Sequence, residues 1–227
     1  AAAAVYGECV RAPEASSLRV NVEVNYLGGY VNTEAVDKQF LQKQFNEKDG
    51  VLVKCDPVQV FCGNNTANGN PDLKWMGADS ANYYNSYDVK SDHGWGELME
   101  LIEKINFDFD NLGDILNIDR VLWAFAVNSA ILNLDTYNGY YVHNYYLYRT
   151  EDGLFQMIPW DFDNSFAGAI LGWDFFDPMA VYNYDTYGNQ YAPNERPLLE
   201  KLLDDPYYKK LYNAHLRTVY IESLMDT

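Results

Sequence analysis

The feature that most constrains this chain is a pair of short apolar segments followed at once by two carboxylates. The segments NYYLYRT (144–150) and GLFQMIPW (153–160) are joined by a Glu-Asp-Gly turn at 151–153, an arrangement typical of a β-hairpin. Asp161 and Asp163 follow the second segment directly. Because carboxylates are costly to bury, the pattern predicts either a cation site at the end of the hairpin or a turn that the aspartates cap.

Length, composition and charge narrow the class of protein. The chain has 227 residues, of which 48% are hydrophobic and 16% aromatic, a composition typical of globular rather than disordered proteins. Its 33 acidic and 16 basic residues give a formal net charge of -17, which disfavours nucleic acid and anionic membrane surfaces as partners. We find no apolar run of membrane-spanning length and no basic leader, and removal of a signal peptide upstream stays open.

The remaining chain alternates between strand-like and helix-like patterns. Alternating residues at 18–26 with a turn at Gly28 and Gly29 predict a hairpin, the stretch 33–45 predicts a helix, and 49–56 predicts a strand after an Asp-Gly turn. Further helices are predicted at 94–105, 112–134 and 196–224, the second with a buried stripe and the third with Pro206 opening its last helix.

These patterns predict an α+β fold with two lobes and no internal repeat. We expect a β-rich N-terminal part at 5–56, an irregular insertion at 57–90, and a mainly helical C-terminal part at 91–227 that carries the embedded hairpin. The four alanines at 1–4 precede a strand-like segment and have the look of a placeholder or scar. The domain is therefore taken as 5–227.

The cysteines and one sequon favour a secreted protein. Cys55 and Cys62 bracket a short loop in which a disulfide is sterically plausible, and Cys9 would then be left over. The sequence Asn-Asn-Thr at 64–66 is a glycosylation sequon in a Gly- and Asn-rich stretch.

A second acidic position lies upstream of the hairpin. Asp135 follows the long apolar helix in a polar turn, and Asn144 begins the first strand of the hairpin. Phosphoryl transfer uses such a set: a loop Asp that accepts the hydroxyl proton, and an Asn and a post-strand Asp that hold Mg²⁺. An EF-hand is excluded, because Phe166 and Gly172 stand where that loop requires Gly and Glu.

At these residues the chain resembles a known family. LNLDTYNGYYVHNYYLY followed by IPWDFDNSF is similar to the core signature of the CotH family, the spore coat protein H-like atypical protein kinases. The stretches GGYVNTEAVDKQFL, GVLVKCD, LWAFAVNSAILNLD and RPLLEKLL agree with it. The resemblance extends from about Leu18 to Leu203.

The resemblance implies a divergent protein kinase-like fold, secreted or at the cell or spore surface, that transfers the γ-phosphoryl group of ATP to Ser or Thr of a protein with Mg²⁺ or Mn²⁺. Carried over by position, Asp135 is the catalytic aspartate, Asp161 and Asn144 are metal ligands, and Asp163 is a secondary one. The chain departs from ordinary kinases, in which five positions separate the catalytic Asp from the Asn and His-Arg precedes the Asp. Here 144 minus 135 is nine, and no His-Arg precedes Asp135.

The sequence signals for the residues that would bind the nucleotide are weaker. Lys54, at the end of an apolar strand, is the candidate for the phosphates of ATP, and Glu34 is the candidate for its ion-pair partner. Glu34 precedes Lys54, the reverse of the order in kinases, and a lysine at a strand end is usually only solvated.

Two further sets of residues are candidates for a function. His143, beside Asn144, is either a base or a packed residue, and with His93 and His215 it shows no zinc spacing. The tyrosine-rich stretch 182–191 is either a carbohydrate-stacking patch or surface packing.

Other functions stay open beside the kinase. The same fold as a catalytically silent surface, adhesin or scaffold module would not require Asp135 and Asp161 to be unpaired and solvent-reachable. A glycosidase would use the two as its acid and base. For a kinase, the acidic surface favours a basic or Ser- and Lys-rich protein substrate.

Overall fold

The computed structural model describes residues 2–57, 69–133, 135–139, 142–167 and 195–225. Its strands are β1 (Ala15–Val22), β2 (Asn25–Thr33), β3 (Val51–Cys55), β4 (Asp88–Val89), β5 (Tyr145–Arg149) and β6 (Phe155–Pro159). Its α-helices are α1 (Ala2–Cys9), α2 (Lys38–Phe45), α3 (Trp95–Phe107), α4 (Ile118–Ala130), α5 (Pro197–Asp204) and α6 (Pro206–Thr218). Helices and strands both occur, as the α+β prediction requires.

The predicted hairpin of β5 and β6 is confirmed and forms part of a four-stranded antiparallel sheet. The strand order is β4-β3-β5-β6, with Cys55 opposite Tyr145 and Tyr145 opposite Pro159. The turn at the other end closes where the Gly153 N–H donates to the Thr150 carbonyl at 2.9 Å. Gly153 has φ 91°, a left-handed value that favours glycine. The strands therefore bring residues 144 and 160 together at one end of the sheet.

Each face of the sheet packs against helices, because successive strand residues point to opposite faces. One face carries Val53, Leu147 and Met157 into the larger core, which includes residues of α1, α3, α4, α5 and α6. The other face carries Leu52, Tyr148 and Ile158 into a smaller core with residues of α2. Side-chain packing on both faces therefore holds the sheet in place.

Helix α2 has clear boundary signals. The side chain of Asp37 accepts hydrogen bonds from the N–H groups of Gln39 and Phe40 at 2.8 and 3.1 Å. At the other end, Asn46 adopts a left-handed conformation and its N–H donates to the Gln42 carbonyl. These are the caps expected for a short helix, and they orient Phe40 and Leu41 toward the sheet.

The first hairpin forms where it was predicted, but its turn is elsewhere. The turn lies at Glu23 and Val24, and the predicted turn residues Gly28 and Gly29 lie inside β2. The pairing shifts between Val20 and Asn21, and Gly28 there has φ 140°. Gly28 therefore accommodates a β-bulge rather than the turn.

The N-terminal segment is a helix, so the prediction of a strand-like segment there is wrong. Alanine has the highest helix propensity, and Val5 and Tyr6 of α1 are buried in the larger core. The predicted helix 112–134 is also shorter than expected, since a 3₁₀ turn at Phe109–Asp114 precedes α4. The division of the last helical block at Pro206 is confirmed, and Asp205 caps α6.

The predicted bridge between Cys55 and Cys62 is wrong. Cys55 is a free cysteine with no exposed surface, and it lies in β3 opposite Tyr145. Burial raises the pKa of its thiol well above the usual value, which keeps the group protonated and unreactive. Cys62, the sequon at 64–66 and the tyrosine-rich stretch 182–191 lie outside the described residues.

Removal of one side chain from the smaller core should reveal how strongly α2 is attached. Phe40 is 1% exposed, and the Phe40→Ala variant is expected to lose about 3 to 5 kcal/mol of unfolding free energy because a large buried ring leaves a cavity. Urea denaturation followed by circular dichroism measures the change.

The neighbouring Gln39 is exposed and contributes only its backbone N–H to the cap. Gln39→Ala is the matched control and should stay within about 0.5 kcal/mol of the wild type. Equal losses in the two variants would contradict the packing of α2 on the sheet.

Candidate active site

Asp135 lies just beyond the end of α4 and is buried. Its backbone N–H donates to Asn133 Oδ1 at 3.2 Å, and its carboxylate side chain is 9% exposed. The Asn133 N–H in turn donates to the Asn128 carbonyl at 2.9 Å. The polar turn after α4 is therefore held by asparagine side chains and by the helix end, as Asx turns are.

The carboxylate of Asp135 receives hydrogen bonds from three side chains. Its Oδ2 accepts from Asn144 Nδ2 at 3.0 Å and from Asn164 Nδ2 at 2.8 Å. Its Oδ1 lies 2.9 Å from His143 Nε2. A buried carboxylate needs such partners to offset the loss of water. Asp135 is therefore neither unpaired nor freely reached by solvent.

Asn144 connects the hairpin to Asp135 through both its backbone and its side chain. Its carbonyl accepts from the Trp160 N–H at 3.0 Å, which closes the end of the hairpin. Its backbone is left-handed, with φ 58°, a conformation that Asn tolerates better than most residues. Because Nδ2 donates to Asp135, Oδ1 faces away and makes no hydrogen bond to another described residue.

Asp161 lies two residues beyond the end of β6 and is exposed, again with a left-handed backbone at φ 51°. Partial burial and the charge of Asp163 raise the pKa of the Asp161 carboxyl, and the charge of Asp135 adds to the effect. The N–H of Phe166 donates to the Ile131 carbonyl at 2.5 Å, which joins the segment after β6 to the end of α4. The structure thus brings Asp135, Asn144, Asp161 and Asp163 to one end of the sheet.

His143 belongs to the same cluster, and its side chain is 24% exposed. It is therefore a largely packed residue, as one of the two sequence interpretations has it, and it also contacts Asp135. Burial lowers the pKa of its imidazole, but the hydrogen bond and charge of Asp135 outweigh this and raise it. The charges of Asp56 and Asp161 act in the same direction. The other histidines lie elsewhere, His93 beside Glu97 and His215 beside Asp119.

Lys54 lies near this end of the sheet, but its predicted ion pair with Glu34 is wrong. Lys54 Nζ lies 2.6 Å from Asp56 Oδ2, whereas Glu34 pairs with Lys43 at 3.1 Å. Glu34 is at the base of the first hairpin, where its carboxylate also accepts from the Glu14 N–H. Extending the β3–β5 register by one residue places Asp56 opposite Asn144, so the Lys54–Asp56 pair borders the cluster.

Several contributing residues were not recognised in the sequence. Asn164 and Asn133 contact Asp135, and Tyr6 and Phe162 lie against the same loops. The only local signal was the placement of Asn133 two residues before Asp135, the spacing of an Asx turn. Tyr6 carried no signal, because its contacts join residues 122 and 127 positions apart in the chain.

The donor groups at this site suit a hard cation. Carboxylate oxygens of Asp161 and Asp163 and the amide oxygen of Asn144 are the kinds of ligand that Mg²⁺ prefers. Within the described ranges, no group of three or more His, Cys, Asp or Glu residues is arranged as a metal site. A cation here would therefore depend on an amide oxygen or on oxygens from a bound substrate.

Almost the whole chain matches a known protein family. A family model described as CotH kinase protein matches residues 8–227. The chain belongs to the CotH kinase family. The match includes every residue of the cluster around Asp135. A search of curated proteins found none that matches the chain, and no helix in the described part is long and apolar enough to cross a membrane.

Two substitutions at Asn144 separate backbone strain from the side-chain hydrogen bond. Asn144→Gly and Asn144→Ala remove the same bond to Asp135, but only alanine places a Cβ on the left-handed backbone. Asn144→Ala is therefore expected to be less stable than Asn144→Gly by about 1 kcal/mol. Chemical denaturation of both variants measures the difference, and an alanine variant as stable as the glycine variant would contradict the conformation described for Asn144.

Proposed function

We propose that this member of the CotH kinase family is an active protein kinase that transfers the γ-phosphoryl group of ATP to Ser or Thr of a protein substrate. The observation that supports it is the meeting of two acidic loops at the end of the β5–β6 hairpin. Asp135 comes from the loop after α4 and Asp161 from the loop after β6, and Asn144 bonds to Asp135 beside them. Kinases use a catalytic Asp, a metal-binding Asn and a second metal-binding Asp in this way.

In this proposal Asp135 accepts the proton of the substrate hydroxyl. The hydroxyl takes the place of His143 on Oδ1, while Asn144 and Asn164 hold Oδ2 and keep the carboxylate oriented. The two hydrogen bonds to Oδ2 fix the direction of Oδ1, and such fixed geometry is a large part of the catalytic effect in phosphoryl transfer. The displaced imidazole stays within reach of the charges of Asp56 and Asp161.

The metal and nucleotide are assigned by the chemistry of the donors. Asp161, Asp163 and Asn144 would hold Mg²⁺ or Mn²⁺, which neutralises charge on the phosphates of ATP. The raised pKa of Asp161 reflects partial burial and its acidic neighbours, a repulsion that a bound cation relieves. Lys54 is the candidate for the phosphates, with Asp56 in the role that was expected of Glu34.

The fold, location and substrate that we propose follow from the family and from the net charge of the chain. We propose a kinase-like fold of two lobes, a location outside the cell or on a cell or spore surface, and a basic or Ser- and Lys-rich protein as substrate. The net charge of -17 supports a basic substrate and disfavours nucleic acid.

A catalytically silent binding module of the same fold is the second candidate. The observation that favours it is that the carboxylate of Asp135 is already bound within the protein. It is 9% exposed and is contacted by three side chains. A residue that serves only to hold the two loops together would be bonded in this way. The exposure of Asp161 favours the kinase instead.

The deciding experiment measures ³²P transfer from labelled ATP, with Mg²⁺ or Mn²⁺, to a basic protein and to the chain itself. Asp135→Asn is expected to reduce kcat by about 10² to 10⁴-fold, the usual contribution of a catalytic base, and Asp161→Asn should abolish metal-dependent transfer. Asp110→Asn is the control, because Asp110 is exposed and lies outside the cluster. His143→Ala should keep at least a tenth of the activity, since His143 only covers Oδ1.

The outcomes separate the alternatives. Loss of activity in both the Asp135 and His143 variants would contradict Asp135 as the sole base. No transfer by the wild type, together with no change in its melting temperature on addition of ATP and metal, would contradict the kinase and favour the binding module.

A further inference from the structure

The side chain of Tyr6 lies beneath the candidate site although it comes from the opposite end of the chain. Tyr6 is on α1 and has no exposed surface. Its hydroxyl donates to Asn128 Oδ1 and accepts a hydrogen bond from Asn133 Nδ2 at 3.1 Å. Burial raises the pKa of this phenol above its usual value, so the hydroxyl is neutral and can both donate and accept. The hydroxyl of Tyr6 therefore bridges the side chains of Asn128 and Asn133.

Both asparagines also form hydrogen bonds with the loop that carries Asp135. Asn133 Oδ1 accepts from the Asp135 N–H at 3.2 Å. Asn128 Nδ2 lies 3.3 Å from Thr136 Oγ1 and 2.6 Å from Asn138 Oδ1. All of these side chains are buried, and buried networks of this kind are rigid when every member is paired. The hydroxyl of Tyr6 is thus linked through Asn133 and Asn128 to Asp135, Thr136 and Asn138.

The ring of Tyr6 makes a second and different contact. It stacks on Phe162, with ring centroids 4.2 Å apart and planes inclined by 26°. Phe162 stands between Asp161 and Asp163, the two acidic residues after β6. Stacked aromatic pairs have a defined geometry and a favourable energy beyond burial alone. The ring therefore restrains the second acidic loop while the hydroxyl restrains the first.

We propose that Tyr6 is a positioning residue that sets the two acidic loops of the site relative to each other, through its hydroxyl for the Asp135 loop and its ring for the Asp161–Asp163 loop. This inference rests on the proposed function for its catalytic consequence, but its structural part stands on the contacts alone. It gives α1 a role in the site, because the helix delivers Tyr6 by packing on α4. Small displacements of catalytic groups are costly even when the change is remote from the chemistry.

The two contacts can be removed separately. Tyr6→Phe keeps the ring and its stacking on Phe162 but removes the donor to Asn128 and the acceptor of Asn133. Tyr6→Leu removes the stacking as well. Tyr83→Phe is the matched control: Tyr83 is also fully buried, and its hydroxyl also has two partners, the Met76 N–H at 2.8 Å and the Gly77 carbonyl at 3.0 Å.

Hydrogen–deuterium exchange tests the structural part without any assay of activity. Tyr6→Phe is expected to accelerate exchange in peptides that cover 131–139 and to leave 160–166 close to the wild type, and Tyr6→Leu should accelerate both, because exchange reports local opening. Tyr83→Phe should change neither peptide. Unchanged exchange at 131–139 in Tyr6→Phe, or equal acceleration there in Tyr83→Phe, would overturn the proposal.

Kinetics test the catalytic part. Tyr6→Phe is expected to lower kcat on the order of tenfold with KM for ATP changed by less than about twofold, because a positioning residue affects the reacting geometry more than ground-state binding. Tyr83→Phe should retain the wild-type kcat even if its melting temperature is lowered as much as that of Tyr6→Phe. Equal kcat in the two variants would overturn the positioning role, whereas a wild type without transfer activity contradicts the proposed function and leaves the exchange result to decide on Tyr6.

Discussion

The carboxylate of Asp135 is the point on which the local structure depends. It joins the loop after α4, the first residue before β5 and the segment after β6 through Asn144, Asn164 and His143. Without these donors the burial of this carboxylate would be costly, because a charged group would lose its contacts with water and gain no partner in the protein. The same three contacts that make its burial tolerable also bring the second acidic loop to its side.

The rest of the fold serves to keep this junction in place. The β5–β6 hairpin is short, but α4 packs against one of its faces and residues of α2 pack against the other. The left-handed backbones of Asn144 and Asp161, at the start and end of the hairpin, turn the chain toward Asp135. Strained positions of this kind persist only where the surrounding structure holds them, and they are common at functional sites.

The sequence predicted the parts of this site that depend on local patterns. The hairpin followed from its apolar strands and Glu-Asp-Gly turn, and the positions of Asp135, Asn144 and Asp161 followed from the ends of the elements that carry them. It did not predict contacts between distant positions, such as Tyr6 with Asn133, because periodicity carries no signal for them. It also misassigned the partner of Glu34, since the choice between Lys43 and Lys54 depends on where the base of the first hairpin lies.

The central claim is that one divalent cation binds between the Asp161 loop and Asn144, and Mn²⁺ in the presence of ATP tests it most directly. Paramagnetic broadening of backbone amide signals reports which residues lie near the metal. We expect the strongest broadening at 142–145 and 160–164, with signals of α5 and α6 unaffected. With 33 acidic residues in the chain, nonspecific binding is the main competitor, and broadening spread over the acidic surface or centred away from Asn144 and Asp161 would contradict the account.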